Sequence, residues 1–242
     1  NILLFSGRSK TINDIVDFVD GFICYGQPRS DTLIEQLKRT KKKVVTVDFD
    51  IERNASVNID NLTAAREIAK IALDSEADSV AILGLRLVDS KYTCRVYDKP
   101  DFDIKSSIAH QRLQGYLQVL EEKSIPLGSD RIWSIPESNA HYADIAVTEA
   151  LSSSPRPDVL LCMSDLIALS AISQANKKGL RIPQDIRIVG FDGIDEASRS
   201  TPPLTTVHQN SVQKGKLAAE IYLSDSRHRT TSEFHIQHGK SA

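Results

Sequence analysis

The sequence predicts an α/β protein with a parallel, doubly wound sheet, and two observations carry that expectation. Short apolar runs recur along the chain and are continuous rather than alternating, as in strands buried on both faces. Between them lie longer amphipathic segments bounded by helix caps, and strand–helix–strand repetition implies right-handed parallel crossovers. The 242 residues allow one large domain or two lobes of roughly 100 residues each.

Taken in order, the strand-like runs are Ile2–Phe5, Gly21–Tyr25, Val44–Phe49, Val80–Leu83, Val159–Cys162 and Ile186–Phe191. Helices are expected over Asp31–Thr40, which ends in a Lys/Arg-rich turn, and over Asn61–Leu73, which opens on the cap residues Asp60 and Asn61. Ile108–Lys123 and Ala140–Leu151 are helix-like too. Ser164–Lys178 pairs a Ser cap with Gly179 just past its end. Residues Arg86–Lys105 are polar and lack periodicity, and they read either as a solvated surface insertion or as a lid over a ligand site. The basic run Lys38–Lys43 closes a helix, where the dipole favours cations, and reads as a solvated end.

Composition narrows the function. The formal net charge is -2 and the pI about 6.3, too acidic to hold a phosphate backbone by charge alone. If the protein acts on DNA, another segment makes the contact. Cys24, Cys94 and Cys162 are an odd count with no C-x-x-C, which suggests a reducing, cytoplasmic setting without a zinc site. No apolar run approaches the roughly 20 residues that cross a bilayer, so no membrane role is expected.

Enzyme signatures are missing. No G-x-G-x-x-G follows a strand, and there is no phosphate loop, H-E-x-x-H or nucleophile elbow, so no cofactor is expected. The six histidines are scattered; His228, His235 and His238 fall near the end and read as a polar tail rather than a metal site. What remains is short polar residues at strand ends: Asp48 and Asp50, Ser164 and Asp165, and Asp192. Ligands of open parallel sheets bind at the carboxyl ends of the strands, and carboxylates there suit a hydroxyl-rich ligand such as a sugar or nucleoside. Each residue also reads as a helix cap. That reading is preferred for Asp165 and Asn61, and less so for Asp192, which Gly193 follows.

Ile182-Pro183-Gln184-Asp185-Ile186-Arg187-Ile188-Val189-Gly190-Phe191-Asp192 is similar to the segment "(V/I)P-x-D-(V/I)-x-(V/I)-V-G-(F/Y)-D" of the LacI/GalR (lactose-repressor) family of transcriptional regulators. Thr201-Pro202-Pro203-Leu204-Thr205-Thr206-Val207-His208-Gln209 follows at the family spacing and resembles "(T/R)PPLTTVxQ". Arg112-Leu113-Gln114-Gly115-Tyr116 resembles "R-x-x-G-(F/Y)", and Ser164-Asp165-Leu166-Ile167-Ala168 resembles "(N/S)D-x-x-A" after Arg156-Pro157-Asp158. Val19–Ile23 and Val57–Asn61 match "VDGII" and "V-x-x-DN".

The resemblance implies a periplasmic-binding-protein-like (type I) fold of two Rossmann-like lobes with a ligand cleft between them. By analogy the first lobe is 1–77 with 208–225. The second is 78–207 with 226–242, including a last strand near Phe234–Gln237. It also implies a homodimer that reaches operator DNA through an N-terminal helix-turn-helix absent from this sequence, with DNA affinity set by a small effector. Arg112 matches the arginine that reaches into the cleft, and its fork can hold two ligand oxygens. Asp192 matches the hydroxyl-accepting aspartate, and Phe191 either lines the pocket or belongs to the core. Ser164 stands where many members have a contacting Asn and is shorter. Trp133, the only tryptophan, falls a few residues before the position of the family's stacking aromatic. Asp165 and Asp50 complete the candidate ligand residues. The family's first strand and helix are absent, and the Arg86–Lys105 stretch is longer than in commoner members. The alternative is a transporter's periplasmic sugar-binding protein, against which the "PPLTTVxQ" segment and the cysteines weigh.

Overall fold

The computed structural model describes residues 2–4, 11–74, 77, 79–97, 107–224 and 227–242. The chain divides into two compact units, Asn1–Ile59 with Asn210–Ser232, and Asp60–Gln209 with Glu233–Ala242. The first boundary falls before residue 61 rather than near residue 77.

The smaller unit is a parallel four-stranded sheet, β1(Gly21–Tyr25)-β2(Lys43–Val47)-β3(Ala55–Asn58)-β10(Arg229–Thr231). Alternate residues of β2 point to opposite faces, and both faces are covered. Val44 packs with Leu33 and Leu37 of α1(Asp31–Arg39), while Val45 and Val47 pack with Ala218 and Ile221 of α7(Ser211–Leu223). That two-sided burial is why β2 reads as an unbroken apolar run. Ile2, Leu3 and Leu4 form no strand and are exposed, contrary to the expected first strand, whose Phe5 lies outside the described residues. The physical reason is pairing: among the described residues no strand partner lies beside them, and an unpaired strand leaves its backbone groups without bonds.

The larger unit is a seven-stranded sheet in the order β11-β9-β8-β7-β4-β6-β5. Its parallel centre is β9(Thr205–His208), β8(Arg187–Asp192), β7(Val159–Cys162), β4(Val80–Leu85) and β6(Ile132–Ile135). Antiparallel edges are added by β11(His235–Gln237) and β5(Cys94–Arg95). One face buries Leu83, Trp133, Leu160 and Ile188 under α4(Ala140–Leu151) and α5(Asp165–Lys177). α2(Asn61–Ala72) and α3(Ile108–Glu122) are packed together and against the sheet strands, with Ala65, Ile68, Leu113 and Tyr116 fully buried. α2 packs closely on α3, with the small Ala65 side chain beside Gly115. Gly115 marks that approach: a Cβ there would meet the Leu62 carbonyl at 2.6 Å.

One other sequence expectation changes. The described part of Arg86–Lys105 is no loose insertion: Leu87 and Val96 are buried, and the Leu87 and Val88 amides donate to Ser134 Oγ at 3.0 and 3.2 Å. Residues 98–105 lie outside the described residues, and the lid reading with them. The last strand expected near Phe234–Gln237 is β11, and within what was read as a polar tail His235 stacks on His208 of β9 with ring centroids 4.6 Å apart.

Candidate functional site

Several of the candidate residues of the larger unit gather where β8 ends. Its run Ile188–Phe191 is buried, and Asp192 follows at φ 126°, a backbone region L residues rarely adopt. The Asp192 side chain keeps 34% of its exposure, and its Oδ1 accepts from Gln209 Nε2 at 2.7 Å. Arg112 of α3, only 7% exposed, extends toward the same carboxylate, with Nη1 3.7 Å from Oδ1.

Three neighbours fix the Arg112 fork. Nε donates to Asn61 Oδ1 at 2.9 Å, Nη1 donates to the Met163 carbonyl at 2.8 Å, and the guanidinium lies over the Phe191 ring. Among the described residues Nη2 makes no hydrogen bond, so one edge of the fork remains to donate. Phe191 is fully buried beneath the guanidinium and belongs to the core; the cation and the part-exposed carboxylate suit a neutral ligand rich in hydroxyls, which can accept from the arginine and donate to the aspartate.

Asp165 and Asn61 do not cap their helices. Asp60 caps α2, accepting from the Thr63 amide at 2.9 Å, which frees Asn61 for Arg112. Ser164 caps α5, and its Oγ lies 2.8 Å from Ser138 Oγ. With 1% exposure, Ser164 has its hydroxyl inside the protein. Asp165 is fully buried; it accepts from the amides of Gly193 at 2.7 Å and Ile194 at 2.9 Å and from the Thr206 hydroxyl. Burial pushes its carboxyl above the ordinary range, against the downward pull of those hydrogen bonds and of Arg112.

Trp133 is not a ligand platform. It is fully buried in the core under α4, its Nε1 donates to Glu149 Oε2 at 2.9 Å, and Arg95 lies over its ring at 4.9 Å. A fully enclosed ring has no face left for a ligand. Asp50 belongs to the smaller unit, where it accepts from Asn58 Nδ2 at 3.1 Å and lies 3.8 Å from Arg229 Nη1. Sequence reasoning missed Gln209 and Asn61 as the partners that orient Asp192 and Arg112. Gln209 stood inside a quoted motif, and two cap-type residues in succession at 60–61 left one for other work. Among the described residues no three His, Cys, Asp or Glu side chains could hold a metal ion.

Comparison with known proteins sets this geometry in a family. Residues 96–237 match the model of the periplasmic binding protein-like domain, more than half of the chain, and the chain belongs to that family. Within it the relatives are LacI-type regulators. The ribose operon repressor of Haemophilus influenzae is 40% identical over 123 residues, covering 50% of this chain and 36% of its own. The HTH-type transcriptional repressor CytR of Escherichia coli is 28% identical over 220 residues, covering 89% of this chain and 59% of its own. The chain thus spans roughly a third to three-fifths of these relatives. A LacI family regulator from Enterococcus faecium, crystallised with bound ribose, superposes with a TM-score of 0.80 at 18% identity, covering 99% of this chain and 86% of that one. The chain is thus a periplasmic-binding-protein-like α/β domain similar to these transcriptional regulators.

Proposed function

We propose that this core binds a small polyhydroxyl effector, a sugar or nucleoside, and through it sets the operator affinity of a dimeric transcriptional repressor. One observation carries the reading. The buried Arg112 fork, held by Asn61, Met163 and Phe191, is aimed at the part-exposed Asp192 carboxylate at a strand end. The arrangement suits recognition, and the relatives are named as regulators. The ribose in the Enterococcus structure and the name of the Haemophilus repressor support a pentose as the first ligand to try. Operator contact belongs to a helix-turn-helix outside these residues, as in relatives named HTH-type. The free thiols Cys24, Cys94 and Cys162 suit a reducing cytoplasm.

Thermal-shift and calorimetric titration with D-ribose, D-galactose, cytidine and adenosine test this. A ligand at about 100 times its dissociation constant adds about 2.7 kcal/mol to the folded state, several degrees of melting shift for a chain of this size. A rise for one of these compounds that vanishes in Asp192→Asn is expected. A flat response to all of them contradicts the proposed effector class.

A further inference from the structure

Asp165 heads α5 but does no capping, because Ser164 already accepts from the Ile167 amide. A fully buried carboxylate at a helix start needs another reason to be there. Its partners lie on the turn after β8 and on β9: Oδ2 accepts from the two turn amides that follow Asp192, and Oδ1 accepts from Thr206 of β9. β8 leaves room for it only at a glycine, since a Cβ on Gly190 would lie 2.3 Å from Oδ1.

We infer that Asp165 is a positioning residue for the effector site, holding the turn on which Asp192 stands so that its carboxylate meets Arg112. The inference rests on the effector reading of Asp192. Backbone at φ 126° persists in an L residue only where the surroundings over-determine it. Two charge-assisted bonds to the next two amides do so, from a side chain no water can replace. Gln209, just past the end of β9, steadies the same carboxylate, so Asp192 is held from that side as well as through the turn that Asp165 grips. Asp165 touches no ligand itself, and it acts by setting φ at residue 192.

Crystal structures of Asp165→Ala and Asp165→Asn, each with a calorimetric D-ribose titration, test the role. In Asp165→Ala the Asp192 backbone leaves its positive φ, the 3.7 Å approach to Arg112 opens, and ribose binding weakens by about tenfold or more, equivalent to about 1.4 kcal/mol. Asp165→Asn keeps an oxygen for the two amides and an NH2 for Thr206, so it restores the Asp192 conformation and most of the affinity. A general loss of packing would not be rescued this way. Asp165→Glu moves the acceptor by one methylene and serves if the alanine variant does not fold, with the same opening expected. Unchanged Asp192 geometry in the alanine or glutamate variant overturns the inference, and so does an asparagine variant as impaired as alanine. A wild-type chain that takes up no ribose overturns ribose as the effector, while the geometry of residue 192 in the variants still decides the role of Asp165.

Discussion

The guanidinium of Arg112 lies over the ring of Phe191, its central carbon 3.6 Å from the ring centroid. The stack lets the last apolar residue of β8 support a buried cation, so the strand supplies both the platform and, one residue later, the carboxylate opposite. Phe191→Leu keeps β8 apolar but removes the π face, a contact worth about 0.5–2 kcal/mol. The variant should fold with a lowered melting temperature and bind effector several-fold more weakly by calorimetry. Unchanged affinity would mean that the stack does not hold the fork.

Arg112→Lys keeps the charge and loses the fork. Asn61 and the Met163 carbonyl cannot both be satisfied by one ammonium in the same geometry. A stability loss of about 1–3 kcal/mol is expected in denaturant unfolding, because a buried acceptor is left unmade. Effector-induced stabilisation should disappear as well. An effector shift equal to wild type would remove Arg112 from the site.

Asp165 makes the stability of the larger unit depend on pH. Burial raises its carboxyl above the ordinary 3.8, so the native state holds the proton more tightly than the unfolded chain. Stability from this group is therefore present at low pH and lost as pH rises from the ordinary value through the raised one. Asp165→Asn removes that loss. Urea midpoints of the asparagine variant should gain on wild type from about pH 4 upward and level off once wild-type Asp165 has ionised. A difference constant across the range, or one that shrinks, would contradict the assigned direction.

In the smaller unit, Lys214 is fully buried on α7 and donates to both oxygens of Asp48 at 2.6 and 2.7 Å. Lys214→Met removes the cation and leaves the carboxylate stranded, which costs about 3–5 kcal/mol. Asp48→Asn in that background relieves the stranded charge, and asparagine tolerates the φ of 63° found at residue 48. The double variant should recover most of the lost melting temperature. Additive losses would show that the pair is not coupled.

The sequence showed some of this plainly and hid the rest for physical reasons. β1, β7 and α4 were expected at their observed bounds because apolar runs and helical spacing are local signals. β3, β6 and β9 were not expected as strands, since Ser56, Ser134, Thr205 and Thr206 interrupt their apolar pattern while being buried and hydrogen-bonded. The position of α2 depends on Gly115 and Ala65 meeting across two helices, which no local window reveals. Arg112 and Asp192, singled out through motif spacing, do lie together, 3.7 Å apart. Trp133 misled, because a lone tryptophan beside a strand reads the same whether it faces a ligand or the core. Asp165 and Asn61 looked like caps, and only the neighbouring Ser164 and Asp60, doing the capping, reveal their other work.

Calorimetric titration of the wild-type chain and of Asp192→Asn with D-ribose, then with the other sugar and nucleosides, tests the central claim most directly. The account predicts saturable, one-site binding of one of these compounds by the wild type. It predicts loss of that binding in the variant, with folding retained by circular dichroism. A wild type that binds none of them, or a variant that binds as tightly as the wild type, would contradict it.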